Sequence, residues 1–374
     1  MNTLSYADFS EKVHSGTSGK RIPLDASIDL TYRCNNKCVH CYCNLPEKYG
    51  QAIKGELSTI EVKKLLDDVA SMGSLWLLIT GGEPLLREDF GEIYLHAKKK
   101  GFIITLFTNG TLIDDKTAGL LSEYPPFAVE ISLYGATKET YEKVSRVKGS
   151  YEKCLEGISK IIKAGTTLKL KTMALTINQH EIEAMDVMAR KLGCEFRFDA
   201  TIQKRIDNNM FSAPGKYRIS PVEVVNLDRM FPKRMEEWQR FCDKFVKGAV
   251  TSDRLYQCGA GLGTIHIDPY GMAKGCMMMA KDGFSIRKHD VKWIWDKGIL
   301  SVINQKKDFS MPCDECHLLN LCGQCASWSI VENDDIKKEV TYLCEIAKIR
   351  SKKFEFINSQ TGESTHEKEE MVKA

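Results

Sequence analysis

Cys34-Asn35-Asn36-Lys37-Cys38-Val39-His40-Cys41 places three thiols within eight residues, directly after Ser27–Tyr32, a stretch that reads as a strand. Three cysteines at this spacing can hold three corners of a small inorganic cluster, or a zinc ion that lacks one ligand. A structural zinc site wants four ligands, usually as two Cys-x-x-Cys pairs far apart in sequence. Iron–sulfur cubanes are held by thiolates, and three cysteines leave one iron open to another ligand. The odd count therefore carries the information. His40, between two of the cysteines, reads as a packing residue rather than a fourth ligand.

Outward from this loop the chain alternates strand-like and helix-like stretches. Leu75–Thr80, Phe102–Thr108, Ala128–Tyr134, Leu168–Leu175 and Glu195–Ala200 follow Ser27–Tyr32 as strands. Between them, Ser58-Thr59-Ile60-Glu61 has the form of a capping box opening a helix to about Met72. A helix after Gly81-Gly82-Glu83-Pro84 ends in Lys98-Lys99-Lys100, cations that suit the negative end of the helix dipole. Asp114–Tyr124, Glu139–Val144, Tyr151–Ala164 and Gln179–Leu192 read as further helices. Six strands separated by helices predict an α/β fold of crossover units, a parallel sheet or partial barrel. Pro221–Lys247 reads as helix interrupted near Pro232.

The 374 residues carry 53 Lys and Arg against 50 Asp and Glu, a net charge of +3, with 43% hydrophobic residues. Such a chain can bury a large core, and its charge gives no footprint for nucleic acid or for an anionic membrane surface. No run approaches the roughly 18 apolar residues of a membrane span. The first residues, MNTLSYADFSEKVHSG, hold charges where a signal peptide needs an apolar core, so a cytoplasmic location is expected. Fourteen cysteines in such a location read as metal ligands before disulfides. Ten belong to the front loop or to a second group at 258, 276, 313, 316, 322, 325 and 344. Around that group periodicity is weak, which predicts a small domain held by metal rather than by a core.

The front motifs together resemble the radical S-adenosylmethionine (radical SAM) family. The loop at Cys34, Cys38 and Cys41 is similar to that family's CxxxCxxC signature, and Gly81-Gly82-Glu83-Pro84 to its glycine–glycine–glutamate–proline motif. Thr108-Asn109-Gly110 and Ile131-Ser132-Leu133 follow at the next strand ends. The resemblance covers residues 26 to 205 and implies a partial (βα)6 TIM-like barrel. It also implies that Cys34, Cys38 and Cys41 hold a [4Fe–4S] cluster whose fourth iron is chelated by S-adenosylmethionine. By the same resemblance Gly81, Gly82, Pro84, Thr108 and Asn109 lie at the cofactor, Glu83 accepts from its ammonium group, Ser132 faces its ribose and Arg146 meets its carboxylate. Electron transfer then cleaves the sulfonium to a 5′-deoxyadenosyl radical, which abstracts hydrogen from a substrate. Bland alternatives stand beside these roles: Glu83 as a helix N-terminal residue, Ser132 as a strand residue, Arg146 as a solvated charge.

Thr264–Ile267, the turn at Pro269-Tyr270-Gly271 and a return toward Cys276 read as a hairpin. With Cys313-x2-Cys316-x5-Cys322-x2-Cys325 and Cys344 it resembles the SPASM extension that follows many radical SAM barrels and binds one or two auxiliary [4Fe–4S] clusters. That resemblance implies one cluster on Cys313, Cys316, Cys322 and Cys344, and another on Cys258, Cys276 and Cys325 with one iron lacking a thiolate. Two spacings depart from the pattern: the last is x2 where x3 is commoner, and residues 259–264 contain no further cysteine. A zinc ribbon on Cys313, Cys316, Cys322 and Cys325 remains the alternative.

The divisions expected are 1–24 as a lead-in, 25–205 as barrel, 206–254 as helical linker, 255–350 as the cysteine-rich SPASM domain and 351–374 as a frayed charged tail. Cys43, Cys154 and Cys194 are candidate hydrogen-donor thiols; Cys43 reads equally as an incidental thiol, and Cys154 and Cys194 read first as small core residues. Met277-Met278-Met279 reads as packing around a cluster, and Trp293 and Trp295 as anchors of the small domain. The family resemblance implies a substrate that is a peptide or protein side chain, a reductant such as flavodoxin or ferredoxin, and, since only about 25 residues precede the barrel, recognition of a precursor peptide by a separate protein or by the SPASM domain. Two alternatives stay open: a small molecule or tetrapyrrole substrate, and a non-catalytic iron–sulfur carrier or zinc scaffold.

Overall fold

A computed structural model describes residues 5–207, 210–245, 253–279 and 281–354. Its centre is six parallel strands in chain order: β1 (Asp25–Asp29), β2 (Trp76–Thr80), β3 (Ile103–Thr108), β4 (Ala128–Ser132), β5 (Leu168–Met173) and β6 (Glu195–Asp199). Each pairs with the next in parallel register, for example Ile28 with Ile79, Leu106 with Val129 and Ile131 with Leu170. Alternate residues face opposite sides of a strand. One set, including Ile79, Ile104, Leu106, Val129, Ile131 and Leu170, is fully buried against the helices. The other set, including Leu78, Thr80, Phe107 and Ser132, faces the barrel interior.

The crossovers are α-helices, as the alternation predicts. Helix α2 (Thr59–Ser71) opens with the expected capping box between Ser58 and Glu61; α1 (Tyr6–Gly16) precedes it and lies in the lead-in. There Tyr6 stacks on Phe127 at 4.3 Å and accepts a hydrogen bond from Trp76 Nε1, so the lead-in covers the base of the barrel. The helix expected after Gly81-Gly82-Glu83-Pro84 is split into a turn at Pro84–Leu86 and α3 (Phe90–Lys99). Buried Arg87 causes the break: its guanidinium donates to the carbonyls of Leu30 and Leu57 and to Asp89. Helices α4 (Asp115–Glu123), α5 (Lys138–Ser145), α6 (Ser150–Lys163) and α7 (Ile182–Lys191) complete the set. Beyond the barrel, α8 (Pro221–Met230) and α9 (Pro232–Phe245) meet at the expected proline.

The cysteine-rich segment is continuous with the barrel sheet. Strand β7 (Thr264–Ile267) pairs in parallel with β1, Ser27 opposite His266. It returns through a hairpin as β8 (Met272–Lys274), which pairs with β9 (Phe284–Ser285), so that this sheet has nine strands; Arg33–Cys34 and Leu45–Pro46 form a separate short parallel pair. The expectation of a segment without a core is corrected here. Val291, Ile294, Trp295, Ile299, Val302 and Ile303 are all buried, because an irregular helical run over 291–303 lays one apolar face inward. Trp295 is an anchor, donating from Nε1 to the Arg21 carbonyl under the Arg21 guanidinium. Trp293 is not, being 43% exposed. After α10 (Ala326–Asn333) comes α11 (Thr341–Lys353), which includes residues 351–353 of the expected tail. Those residues stay helical because Leu343, Ile346, Ala347 and Arg350 are buried along the same helix. Phe354, which follows, is also buried, and residues 355–374 lie outside the described residues.

Candidate functional site

The loop after β1 brings Cys34, Cys38 and Cys41 to the carboxyl ends of the strands, where they line a cavity of about 410 Å³. Gly81, Gly82, Thr108, Asn109 and Ser132 line the same cavity from the ends of β2, β3 and β4. The glycines act first on the cysteine loop. A Cβ at Gly82 would stand 2.3 Å from the Arg33 carbonyl oxygen, and one at Gly81 2.3 Å from that of Thr31. In this close approach Gly82 N–H donates to Thr31 O at 2.6 Å and Glu83 N–H to Arg33 O at 2.9 Å. Gly81 also holds φ +123°, a region that side chains disfavour.

Glu83 is 0% exposed and does not line the cavity. Its carboxylate accepts from Leu85 N–H at 3.1 Å, Thr108 Oγ1 at 2.8 Å and Asn109 N–H at 2.7 Å. It therefore binds the end of β2 to the end of β3, and burial pushes its pKa up to about 7 despite those donors. Pro84 is buried at the start of the following turn. Arg146 is exposed and does not line the cavity; it ends α5 with φ +56°. The end of α5 nonetheless adjoins the cysteine loop, Lys37 N–H donating to Ser145 O at 2.9 Å and Val39 N–H to Val144 O at 3.0 Å, so Arg146 stands beside the loop with its side chain outside the cavity lining.

The sulfur atoms have defined neighbours. Asn36 N–H points at Cys34 Sγ (3.4 Å), Asn109 Nδ2 also at Cys34 Sγ (3.7 Å), and Asn44 N–H at Cys41 Sγ (3.3 Å). Burial raises the Cys34 and Cys38 thiols. Cys41 is lowered to about 7, first by its hydrogen bond with the Cys43 side chain, then by the amides of Cys43 and Asn44 and the charge of Arg205, against burial. Two buried polar groups face this space without partners: both polar atoms of the Asn36 side chain, and His40 Nδ1. His40 packs edge-on against Tyr134 at 5.0 Å, as a packing residue should, and burial lowers it to about 4. Three thiols and orphaned polar atoms around one cavity fit a cluster with a bound polar cofactor. Among the described residues no three His, Cys, Asp or Glu side chains converge on a point that would hold a single metal ion, whereas a cubane spreads its ligands over several irons.

The three candidate donor thiols do not reach the cavity. Cys43 is 1% and Cys154 0% exposed. Cys154 packs below Ser132, and burial raises its thiol to about 12. Cys194 packs half-buried against the barrel core, its thiol donating to the Ala189 carbonyl. The wall opposite the cysteine loop was missed in the sequence: Lys171 and Met173 from β5, Arg197 and Asp199 from β6, and Gln203 beyond it. Lys171 lies over the Phe107 ring, with Glu130 at 4.0 Å, and burial lowers its ammonium pKa. Their spacing of two along each strand was the available signal, since it marks the inward face.

The rear cysteines separate into two sets. Cys313, Cys316, Cys322 and Cys344 line one cavity of about 250 Å³, and like-charge repulsion among them helps burial raise Cys313 to about 11 and Cys322 to about 12. Cys325, in contrast, lies within electrostatic reach of Cys258 and Cys276. The fold does not assemble a ribbon of Cys313, Cys316, Cys322 and Cys325, because Cys325 N-caps α10 and leads away from the other three. Met277, next to Cys276, lines the front cavity.

The family model of the radical SAM superfamily matches residues 28–189. The chain is 30% identical over 270 residues to the mycofactocin maturase MftC of Mycobacterium tuberculosis, covering 71% of this chain and 67% of MftC. It is 29% identical over 341 residues to AlbA, the biosynthesis protein of the antilisterial bacteriocin subtilosin in Bacillus subtilis, covering 87% and 72%. To the Fe-coproporphyrin III synthase of Methanosarcina barkeri it is 36% identical over 184 residues, covering 46% of this chain but only 44% of that one. The fold is similar to that of SuiB from Streptococcus suis, with a TM-score of 0.67 at 15% identity over 92% of this chain and 82% of SuiB. No helix among the described residues is long and apolar enough to cross a membrane.

Proposed function

Because the chain belongs to the radical SAM superfamily, we propose that this enzyme abstracts hydrogen from a side chain of a peptide or protein substrate, as a peptide maturase. Its cofactors are S-adenosylmethionine and [4Fe–4S] clusters; the front cluster, reduced by one electron from an external reductant, would pass that electron to the sulfonium and so supply the hydrogen-abstracting radical. Cys34, Cys38 and Cys41 would hold the front cluster. Gly81, Gly82, Thr108, Asn109 and Ser132 would orient the cofactor, while Glu83 keeps two of the strand ends together. Leu78, Phe107 and Met173, at the inner wall, would exclude water from the reacting atoms.

We further read residues 255–350 as a SPASM-type domain, with auxiliary sites at Cys313/Cys316/Cys322/Cys344 and at Cys258/Cys276/Cys325. The observation that carries the peptide reading is the match to the bacteriocin biosynthesis protein AlbA over 87% of this chain, far beyond the barrel. A reductant of the flavodoxin or ferredoxin type and a separate recognition protein for the precursor complete the reading. A tetrapyrrole substrate is the second reading, favoured by the Fe-coproporphyrin III synthase over 46% of this chain and by the AdoMet-dependent heme synthase of Methanosarcina barkeri over 84%, the latter at 23% identity against 29% for AlbA.

The test is release of 5′-deoxyadenosine by anaerobically reconstituted enzyme with dithionite, in the presence of short peptides encoded beside its gene or of Fe-coproporphyrin III. Stimulation by a peptide, with a mass change in it, supports the maturase reading. Stimulation by the porphyrin alone overturns it in favour of the second. Cleavage that persists unchanged in Cys38→Ala would remove the front site from both.

A further inference from the structure

The segment that leaves β6 returns to the cysteine loop and grips it at the third cysteine. Arg205 is 5% exposed, and its planar fork spans two segments far apart in sequence. Nη1 donates to Cys41 O at 3.3 Å, Asn44 Oδ1 at 2.7 Å and Ser212 Oγ at 2.9 Å. Nη2 donates to Asn44 O at 3.1 Å, and Nη2 and Nε each reach the Asp207 carboxylate at 2.8 Å. Ser212 Oγ donates in turn to Cys41 O, and Ile206 N–H to Tyr42 O at 3.3 Å.

One guanidinium thus holds Asn44 at its side chain and its carbonyl together. What this fixes is the direction of the Asn44 amide, whose N–H points at Cys41 Sγ at 3.3 Å. A lysine could supply the charge but not the fork. Hydrogen bonds to the sulfurs and the net charge around a cluster are among the terms that set its reduction potential. An N–H aimed at a ligand sulfur, with a cation behind it, stabilises the cluster that has gained an electron.

We propose that Arg205 is a positioning residue that raises the reduction potential of the front cluster, by holding the Asn44 N–H on the Cys41 sulfur and by placing a positive charge behind the loop. The inference rests on the front-cluster reading above. The step concerned is the uptake of one electron from a low-potential reductant of the flavodoxin class; the reductant is oxidised, the cluster is reduced by one electron, and no bond is made or broken. Asp207 partly offsets the charge, so it should act in the opposite direction.

The experiment is an anaerobic redox titration of the full reconstituted chain, following the electron paramagnetic resonance signal that changes when S-adenosylmethionine is added. Iron and sulfide per chain are counted for each variant. Arg205→Met is expected to keep its iron and shift the midpoint to more negative potential, with Arg205→Lys between it and the wild type. Asp207→Asn is expected to shift the midpoint positively, which keeps a test available if Arg205→Met loses its cluster. An Arg205→Met protein with full iron and the wild-type midpoint overturns the proposal, as does an Asp207→Asn midpoint that is unmoved or more negative. If the signal persists in Cys34/Cys38/Cys41→Ala, the front-cluster reading itself has failed, independently of Arg205.

Discussion

Gly82 and Glu83 do different work from what their motif alone implies. A Cβ at Gly82 would meet two backbone oxygens, those of Arg33 and Tyr32, at 2.3 and 2.6 Å. Backbone cannot swing aside as a flexible side chain can, so Gly82→Ala must push the cysteine loop off the end of β2. We expect that variant to lose the front cluster, about four irons per chain, while the rear sites stay loaded; full iron content would contradict this. Glu83 makes a pH prediction. Burial raises its folded pKa from 4.5 to about 7, so between those values the folded chain keeps a proton that the unfolded chain releases. The stability it contributes is complete below about pH 4.5 and is lost as the pH rises to about 7. Glu83→Gln removes this slope, and parallel curves of Tm against pH for the two proteins would refute the assignment.

At the scale of elements, the proposed reading of the rear cysteines makes the two sets independent sites. Cys322→Ala and Cys325→Ala should each lower iron by about one cubane, and the double variant by two, because the residues belong to different sets. A single shared site predicts the same loss in all three proteins, which metal analysis distinguishes. Much of the barrel was legible in the sequence, since the six strands and their helices follow from local periodicity and caps such as Ser58 and Glu61. The gathering of the front cysteines at one cavity was legible for the same reason: three thiols in a loop directly after a strand are a local signal. Three things were not. The pairing of β7 with β1 joins residues over two hundred positions apart, and no short-range pattern encodes it. Arg87 breaks a helix through carbonyls of two other segments. Arg146 ends its helix in a left-handed conformation that its own side chain does not favour.

Across the whole molecule, α11 is tied to the helices that follow the barrel by one buried carboxylate. Asp228 of α8 is 0% exposed. Its Oδ1 accepts from Arg234 of α9 at 2.6 and 3.2 Å, and its Oδ2 from Arg350 of α11 at 2.8 and 3.0 Å. The Arg350 guanidinium also lies 3.8 Å over the Trp238 ring. Removing one member of such a buried group leaves uncompensated charge, at a cost of about 3–5 kcal/mol. Asp228→Ala leaves two guanidinium groups facing one another, and α11 then loses its main polar tie to α8. Because α11 also carries Cys344, which lines the rear cavity with Cys313, Cys316 and Cys322, the destabilisation should be read at a metal site well outside the triad. We expect Asp228→Ala to unfold at lower urea and to lose iron from the four-cysteine site first, with the S-adenosylmethionine-responsive front signal retained at low denaturant. Loss of the front signal before any rear iron would mean that α11 is held chiefly by its apolar face, through Leu343, Ile346 and Ala347, and that the ion triad adds little.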